Sequence, residues 1–447
     1  MKIIQYSLGL PPYRRGGLPR YSTDLAMELS ANNNVVLLYP GKIPFKLNTK
    51  MKFITQKSIY PFKVIEMQNP LPVSLGLGID ASAPYMAKRN KDAIETFLKE
   101  LNPDVIHLHT LMGLPIEFLQ VAKDLNIKII YTTHDFYGLC PKMLNDNPKE
   151  LLKSRKCSLD CMLCKKGPSF EKIRIMQSHL YMQLKDTVLV KKIRQRQKNK
   201  ISVMPYEKQT NKVSTLEMEN RFKLRLYYFQ MFKLIDEFHF NSSVSKNYVE
   251  QYFPDVKEKI INITHKGLKR TNLEIKDFSN KSINIGYIGP YDEKKGFFQL
   301  IDVLKKIRKK NTSFEFHAYG DIVENDIFKK NWAKNHGIIS SDEMKYVYNN
   351  IDILIMPSLW HETYGFTVLE ALSYDDVCLV SQNVGAKDLV HSTCIFKNKE
   401  DLEKKLMFFL EDPTKRINQE KKRIIYQHLP VDFSKHVSLI YKELYVN

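Results

Sequence analysis

The stretch Trp360–Ala371, WHETYGFTVLEA, sets two carboxylates, Glu362 and Glu370, on either side of Gly365 with seven residues between them. The apolar run after the glycine reads as a helix over Phe366–Ser373. The first amides of a helix lack intrahelical acceptors, so those of Gly365 and Phe366 offer a seat for an anion such as a diphosphate. An acid beside a phosphate is unfavourable unless it serves another part of the ligand. A carboxylate only accepts hydrogen bonds, which makes a vicinal diol its natural partner. Helical side chains lean toward the N-terminus, so Glu370 aims into this space from one turn inside while Glu362 approaches from the loop. A phosphate flanked by two diols describes a nucleotide sugar, with ribose on one glutamate and the transferred sugar on the other. The spacing alone fits an acid-decorated amphipathic helix equally well; its place in a loop after a strand favours the site.

Other candidate groups follow strands in the same way. The loop GPYDEKKG opens with Gly289 and brings Lys295 and Gly296 to a helix start, where an ammonium and free amides can hold phosphate. A lone Lys-Gly is otherwise an ordinary surface feature. His134 ends KIIYTTH, with Asp135 beside it to orient it, and His107 and His109 share one face of HLH as packing residues, the alternative being that they line the acceptor cleft.

These residues need strands and helices to place them. KIIQYSL, VVLLY, DVIHLH, KIIYTTH and EFHFNSS read as strands, separated by amphipathic segments such as LPRYSTDLAMELS and DAIETFLKELN. That alternation implies parallel strands with crossover helices. It is cleaner in the second half: INIGYIG, FEFHAYG, IDILIMPS and VCLVS, with helices between. The expected fold class is α/β, with two Rossmann-like, doubly wound parallel-sheet domains facing a cleft and ligands at the carboxyl ends of the strands. Residues 1–271 form the N-terminal, acceptor-side domain and 272–425 the nucleotide-sugar domain. Residues 426–447 supply a C-terminal helix that packs back on the first domain. A basic, cysteine-bearing insertion occupies about 140–230.

The chain has 447 residues and a formal charge of +20, a balance that suits polyanions, anionic lipid heads or phosphorylated small molecules. From Lys149 to Lys233 basic residues outnumber acidic ones roughly three to one. A solvated helical insertion explains that, and so does a face resting on an anionic membrane, with FKLRLYYFQMF at the lipid. No apolar window spans a bilayer and the N-terminus lacks an export-signal pattern, so the expected location is cytoplasmic, at the inner face of the membrane. Cys140, Cys157, Cys161 and Cys164 have spacing for a structural zinc, less readily for an iron–sulfur cluster, or they are four reduced thiols.

At WHETYGFTVLEA the chain resembles the family-four retaining glycosyltransferases of the GT-B fold. Their signature is a glutamate, seven residues, and a glutamate followed by Ala, after a strand ending in Pro-Ser. PSLWHETYGFTVLEALS has all of this, and GGLPRYSTDLAMEL, DVIHLHT, TTHDF, EFHFNSS, the KKG loop and VGAKDLV extend the likeness over nearly the whole chain. The resemblance implies a sugar moved from a nucleoside-diphosphate donor to a carbohydrate or lipid-linked glycan acceptor, in cell-surface polysaccharide or glycan synthesis. It implies that Glu370 holds the ribose, Glu362 meets the donor sugar and Lys295 neutralises the departing diphosphate. Gly289, Gly365 and Phe366 approach the donor, His134 faces the sugar from the N-terminal domain, and Gly16 and Gly17 bring backbone close to the reaction centre. No catalytic metal is expected, since Lys295 can replace a divalent ion and no Asp-x-Asp occurs. Two positions depart from the family pattern: Pro290 stands where an arginine usually follows the glycine, and Asp375-Asp376-Val377 replaces Gly-x-Pro after the glutamate helix. A competing reading, a basic zinc-containing nucleic-acid-binding protein, explains charge and cysteines but not the glutamate pair; no nucleic-acid partner is expected.

Overall fold

The computed structural model describes residues 1–14, 16–44, 50–73, 80–139, 168–185, 187, 190, 215–271, 274–426 and 429–446. They form two units: Met1–Phe240 with Lys246–Ile261 and Val437–Asn447, and Asn241–Ser245 with Asn262–His436. Residues 262–271, assigned by composition to the N-terminal domain, thus belong to the second unit, where the Thr271 amide donates to Ser373 O at 2.8 Å.

The first unit carries eight strands among the described residues: β1 Lys2–Tyr6, β2 Asn34–Pro40, β3 Lys52–Gln56, β4 Lys63–Gln68, β5 Val105–Leu108, β6 Lys128–Thr132, β7 Glu237–Phe240 and β8 Glu258–Ile260. Their order is β3-β4-β2-β1-β5-β6-β7-β8, all parallel except the antiparallel edge pair β3–β4. The strands β5 (VIHL) and β7 (EFHF) are buried throughout, so their polar residues His107, Glu237 and His239 lie inside the packing and need hydrogen-bond or charge partners there. Crossover helices cover the sheet. Lys91–Leu101 shows how the sequence bounds one: the Asn90 side chain caps the Asp92 amide, and Asn102 stops the helix in the left-handed region at φ 46°.

FKLRLYYFQMF lies in the helix Thr215–Phe232, and its apolar side chains Leu224, Tyr228, Met231 and Phe232 are buried in the core of the first unit. The expectation that this stretch meets lipid is therefore corrected: the sheet buries its apolar face. No helix among the described residues is long and apolar enough to cross a membrane.

The second unit holds six parallel strands among the described residues: β9 Ile283–Ile288, β10 Phe314–Tyr319, β11 Ala333–Asn335, β12 Ile353–Met356, β13 Val377–Ser381 and β14 Ile395–Phe396. Their order, β11-β10-β9-β12-β13-β14, reverses direction between β9 and β12, the doubly wound arrangement that leaves loops exposed at the strand ends. The replacement of Gly-x-Pro is accommodated as expected, because Asp375 takes the left-handed conformation at φ 62°.

Candidate active site

In the second unit three loops at the carboxyl ends of β9, β12 and β13 are tied to one another. Gly296 caps the helix Phe297–Arg308 at φ 72°, and a Cβ there would lie 1.9 Å from Pro357 O, so only glycine lets the first loop pass beneath the second. The Leu359 amide donates to Lys294 O at 2.9 Å. The glutamate loop is bound on its other side by the segment after β13: Glu362 N to Asn383 O (2.9 Å), Gly385 N to Glu362 O (2.9 Å) and Ala386 N to Tyr364 O (2.7 Å). Ser242, from the FNSS stretch, donates to Thr363 O at 2.6 Å, and Ser243 donates from its amide and hydroxyl to Asp388. Each of these backbone groups has a defined partner, so the loop holds its two acids in fixed positions.

Lys295 Nζ lies 2.9 Å from Glu362 Oε1 and 4.9 Å from the centre of the Trp360 ring. Ser358 also donates to Glu362 Oε1. Base and cation thus stand at one point, the lysine held by charge and by the ring face. Gly365, at φ 111°, begins the helix Phe366–Ser373 with no side-chain cap, leaving its first-turn amides to whatever binds there. Glu370 lies one turn along. Its Oε1 is 2.9 Å from His265 Nε2 and its Oε2 accepts from Tyr348 OH at 2.7 Å. Burial first, then the Glu370 charge, pushes the Tyr348 phenol well above its ordinary pKa, so it donates at any physiological pH. The sequence reading missed His265 and Tyr348. His265 lies in THKG, read as an exit turn, and only the fold brings either residue to Glu370.

Lys295, Gly289, Glu362, Gly365, Phe366 and Glu370 therefore share one unit; His134, Gly16 and Gly17 lie in the other. Gly16 precedes the helix Gly17–Leu29 with no side-chain cap, and a Cβ on it would meet nothing closer than Pro19 Cδ at 4.0 Å. The cysteines Cys140, Cys157, Cys161 and Cys164 lie outside the described residues.

His134 is the end of a buried polar chain. Its Nε2 lies 3.1 Å from His109 Nδ1, and His109 Nε2 lies 2.6 Å from Gln5 Oε1. Gln5 Nε2 donates to Tyr445 OH (2.8 Å), which lies 2.7 Å from His107 Nδ1. His107 Nε2 is 2.6 Å from Thr132 Oγ1, that hydroxyl is 2.8 Å from His239 Nδ1, and His239 Nε2 is 2.8 Å from Ile261 O. Ile261 O can only accept, so His239 Nε2 carries a hydrogen. Burial lowers the His239 pKa to about 4 and holds His107 and His109 well below the usual histidine value, so all three are neutral at pH 7. His239 Nδ1 must then accept from Thr132, Thr132 from His107, His107 Nδ1 from Tyr445, Tyr445 from Gln5, and Gln5 from His109. His109 Nδ1 is left as an acceptor, and His134 Nε2 donates to it. The chain, which starts at Ile261 beside the strand β8, thus fixes His134 with its Nε2 as a donor. Asp135 was expected to orient His134. Its carboxylate instead accepts from Thr110 (3.0 Å) and the Tyr137 amide (3.0 Å), and burial pushes it up to about 6 despite those bonds.

Two family models match the chain: Glycosyltransferase Family 4 over residues 15–156 and Glycosyl transferases group 1 over residues 269–426. Two uncharacterized proteins of a Klebsiella pneumoniae cps region are similar. One is 31% identical over 134 residues, spanning 29% of this chain and 36% of its own length; the other is 22% identical over 342 residues, spanning 76% and 72%. Among solved structures, Anabaena Alr3699/HepE in complex with UDP aligns over 100% of both chains at a TM-score of 0.57 and 14% identity. Sucrose-phosphate synthase (tll1590) from Thermosynechococcus elongatus aligns over 100% of this chain and 99% of its own, at 0.56 and 13%. At such identity the structures speak for the fold. With a glycosyltransferase family model on each half and this two-sheet architecture, the chain belongs to the family-4, group 1 glycosyltransferases and has the GT-B fold.

Proposed function

We propose that the chain is a retaining glycosyltransferase that moves a sugar from a nucleoside-diphosphate donor to a carbohydrate or lipid-linked glycan acceptor. The observation that carries this reading is the pair Glu362 and Glu370 around the uncapped helix start at Gly365, with Lys295 on Glu362 at 2.9 Å. In this reading the diphosphate takes the Gly365 and Phe366 amides and Lys295, which exchanges its carboxylate partner for phosphate. Glu370, braced by His265 and Tyr348, accepts from the ribose hydroxyls. Glu362 accepts from the donor sugar. Gly289 lets backbone approach the diphosphate, and Lys294, adjacent in the first loop, is the nearest substitute for the arginine replaced by Pro290.

When the sugar–phosphate bond breaks, positive charge grows on the sugar and negative charge on the phosphate. Lys295 and the helix amides stabilise the latter. The acceptor hydroxyl attacks the face the diphosphate leaves and gives its proton to the departing phosphate oxygen, so configuration is retained without a protein nucleophile. His134 meets the donor sugar in a single tautomer, and Gly16 and Gly17 keep backbone close to the reacting atoms.

The HepE structures are complexes with UDP and with UDP-glucose, which makes a uridine donor the first to test. Relatives in a cps region agree with a role in cell-surface polysaccharide synthesis. Work at the inner face of a membrane rests on the charge of +20 and on the helix His179–Leu184, which exposes Leu180 and Leu184. A structural zinc on the four cysteines rests on their spacing alone, and no step passes through it. A thermal-shift panel of UDP, GDP, ADP, NAD and a short RNA tests the reading: stabilisation by one nucleoside diphosphate supports it, and stabilisation by RNA alone refutes it.

A further inference from the structure

At the carboxyl ends of β1 and β2 the first unit holds a cavity of about 520 Å³ that the donor chemistry leaves unused. Its walls are the loop 8–14 after β1, the turn 39–42 after β2, residues 56–60 between β3 and β4, and one face of the helix His179–Leu184. That helix comes from the insertion, yet it is pinned to the sheet. His179 Nε2 lies 2.8 Å from Glu66 Oε1, while Gln177 accepts from the Val73 amide (2.9 Å) and donates to Gly41 O (3.0 Å).

The charges lining this cavity do not cancel. Glu66 is the one carboxylate among the described lining residues, and it is fully buried. Its oxygens meet the Lys42 amide (2.9 Å), Gln56 (3.2 Å), Gln68 (3.0 Å) and His179 (2.8 Å). Burial alone would raise its pKa; the bonds from the Lys42 amide, Gln68 and His179 outweigh that and hold it below the usual range. Glu66 is therefore ionised and already satisfied. Arg14 stands in the same wall, and its guanidinium makes no hydrogen bond or ion pair among the described residues. Arg14 is half-buried, and that burial lowers its pKa. Lys42 and Lys57 add two more cations. A partly desolvated, unpaired cation is costly, and a planar fork of five donors is best satisfied by a carboxylate or a phosphate. Tyr13, Tyr39 and Tyr60 give the same cavity apolar ring faces against which a sugar can lie.

We propose that this cavity binds the acceptor, and that the acceptor is a sugar bearing an anionic group, carboxylate or phosphate, gripped by Arg14; the assignment to an acceptor rests on the glycosyl-transfer reading above. The insertion helix then takes part in selecting the acceptor, because it closes one wall and its His179 occupies one Glu66 oxygen.

The test is phenylglyoxal labelling of Arg14 in the full-length protein, read by peptide mass spectrometry. The additions are glucuronate, glucose 1-phosphate, glucose, and vesicles of phosphatidylglycerol or phosphatidylcholine. The expected result is severalfold slower labelling of Arg14 with glucuronate and glucose 1-phosphate, at concentrations where glucose does nothing. Glucuronate should also bind Arg14→Gln about tenfold more weakly, the loss of one charged hydrogen-bond pair. Equal protection by glucose, or no protection by any sugar, overturns the proposal. Protection by phosphatidylglycerol vesicles alone overturns it too, and gives Arg14 to a lipid surface. Nucleoside-diphosphate stabilisation of the unmutated protein is measured in parallel. Protection at Arg14 without nucleotide binding would sink the donor reading and leave the class of ligand standing.

Discussion

His239 lies at the inner end of the polar chain that orients His134, and replacing it with glutamine tests both the neutrality and the polarity of that chain. The residue is fully buried, and burial lowers its pKa from the ordinary 6.5 to about 4. In the unfolded chain His239 takes up a proton as pH falls through 6.5, while the folded protein refuses it until about pH 4. The stability this residue contributes is therefore intact above pH 6.5 and lost on acidification, by about 2 kcal/mol at pH 5 and about 3 kcal/mol at pH 4. Glutamine can donate to Ile261 O and accept from Thr132 as neutral histidine does, but it does not titrate. His239→Gln should cost about 1–2 kcal/mol at pH 7.5 for imperfect packing. That deficit should shrink on acidification and vanish near pH 5. Urea unfolding followed by circular dichroism, from pH 7.5 to 4.5, measures the gap. A gap that stays constant with pH would refute the reasoning, because it would mean that His239 binds its proton equally in both states.

Three further outcomes follow from the site and its surroundings. Glu362→Ala should lower kcat by roughly a hundredfold with little change in donor KM, since the charge it meets develops in the transition state; equal loss in both parameters contradicts its placement. Asp375→Gly should stabilise the second unit by roughly 1 kcal/mol, read as a higher Tm, because glycine relieves the left-handed strain. It also removes a buried carboxylate whose oxygens have no hydrogen-bond partner. A lower Tm would refute this. Tyr445→Phe deletes the hydroxyl between Gln5 and His107. In 15N spectra of histidine-labelled protein, His109 should be a single Nε2–H tautomer in the wild type and a mixture in the variant. Identical spectra would show that the chain does not set the tautomer.

Much of the scaffold was legible because buried parallel strands announce themselves as short β-branched runs, as in β1, β5, β9 and β12. The edge strands were not. β11 and β14 span three and two residues, too few to carry a period. In β4, KVIEMQ, the acid interrupts an apolar run and reads as solvent-facing, whereas Glu66 is buried under donors from Lys42, Gln56 and His179, which lie outside the strand, and from Gln68 at its end. FKLRLYYFQMF misled because a basic, aromatic helix looks alike whether its apolar face meets lipid or a sheet. The glutamate loop itself was readable from Gly365 and the two acids. Its supports were not, since Glu370 is held by residues 105 positions earlier and 22 earlier. Local sequence shows which groups can do chemistry; what braces them is set by topology.

The most direct test of the donor site is a titration of nucleoside diphosphates into the wild-type protein and into Glu370→Ala. One nucleotide should stabilise the wild type by about 2.7 kcal/mol at a hundredfold excess over Kd, and Glu370→Ala should bind it about tenfold or more weakly. If no nucleoside diphosphate binds, or if Glu370→Ala binds as tightly as the wild type, the carboxylate does not hold the ribose and the account of the site is wrong.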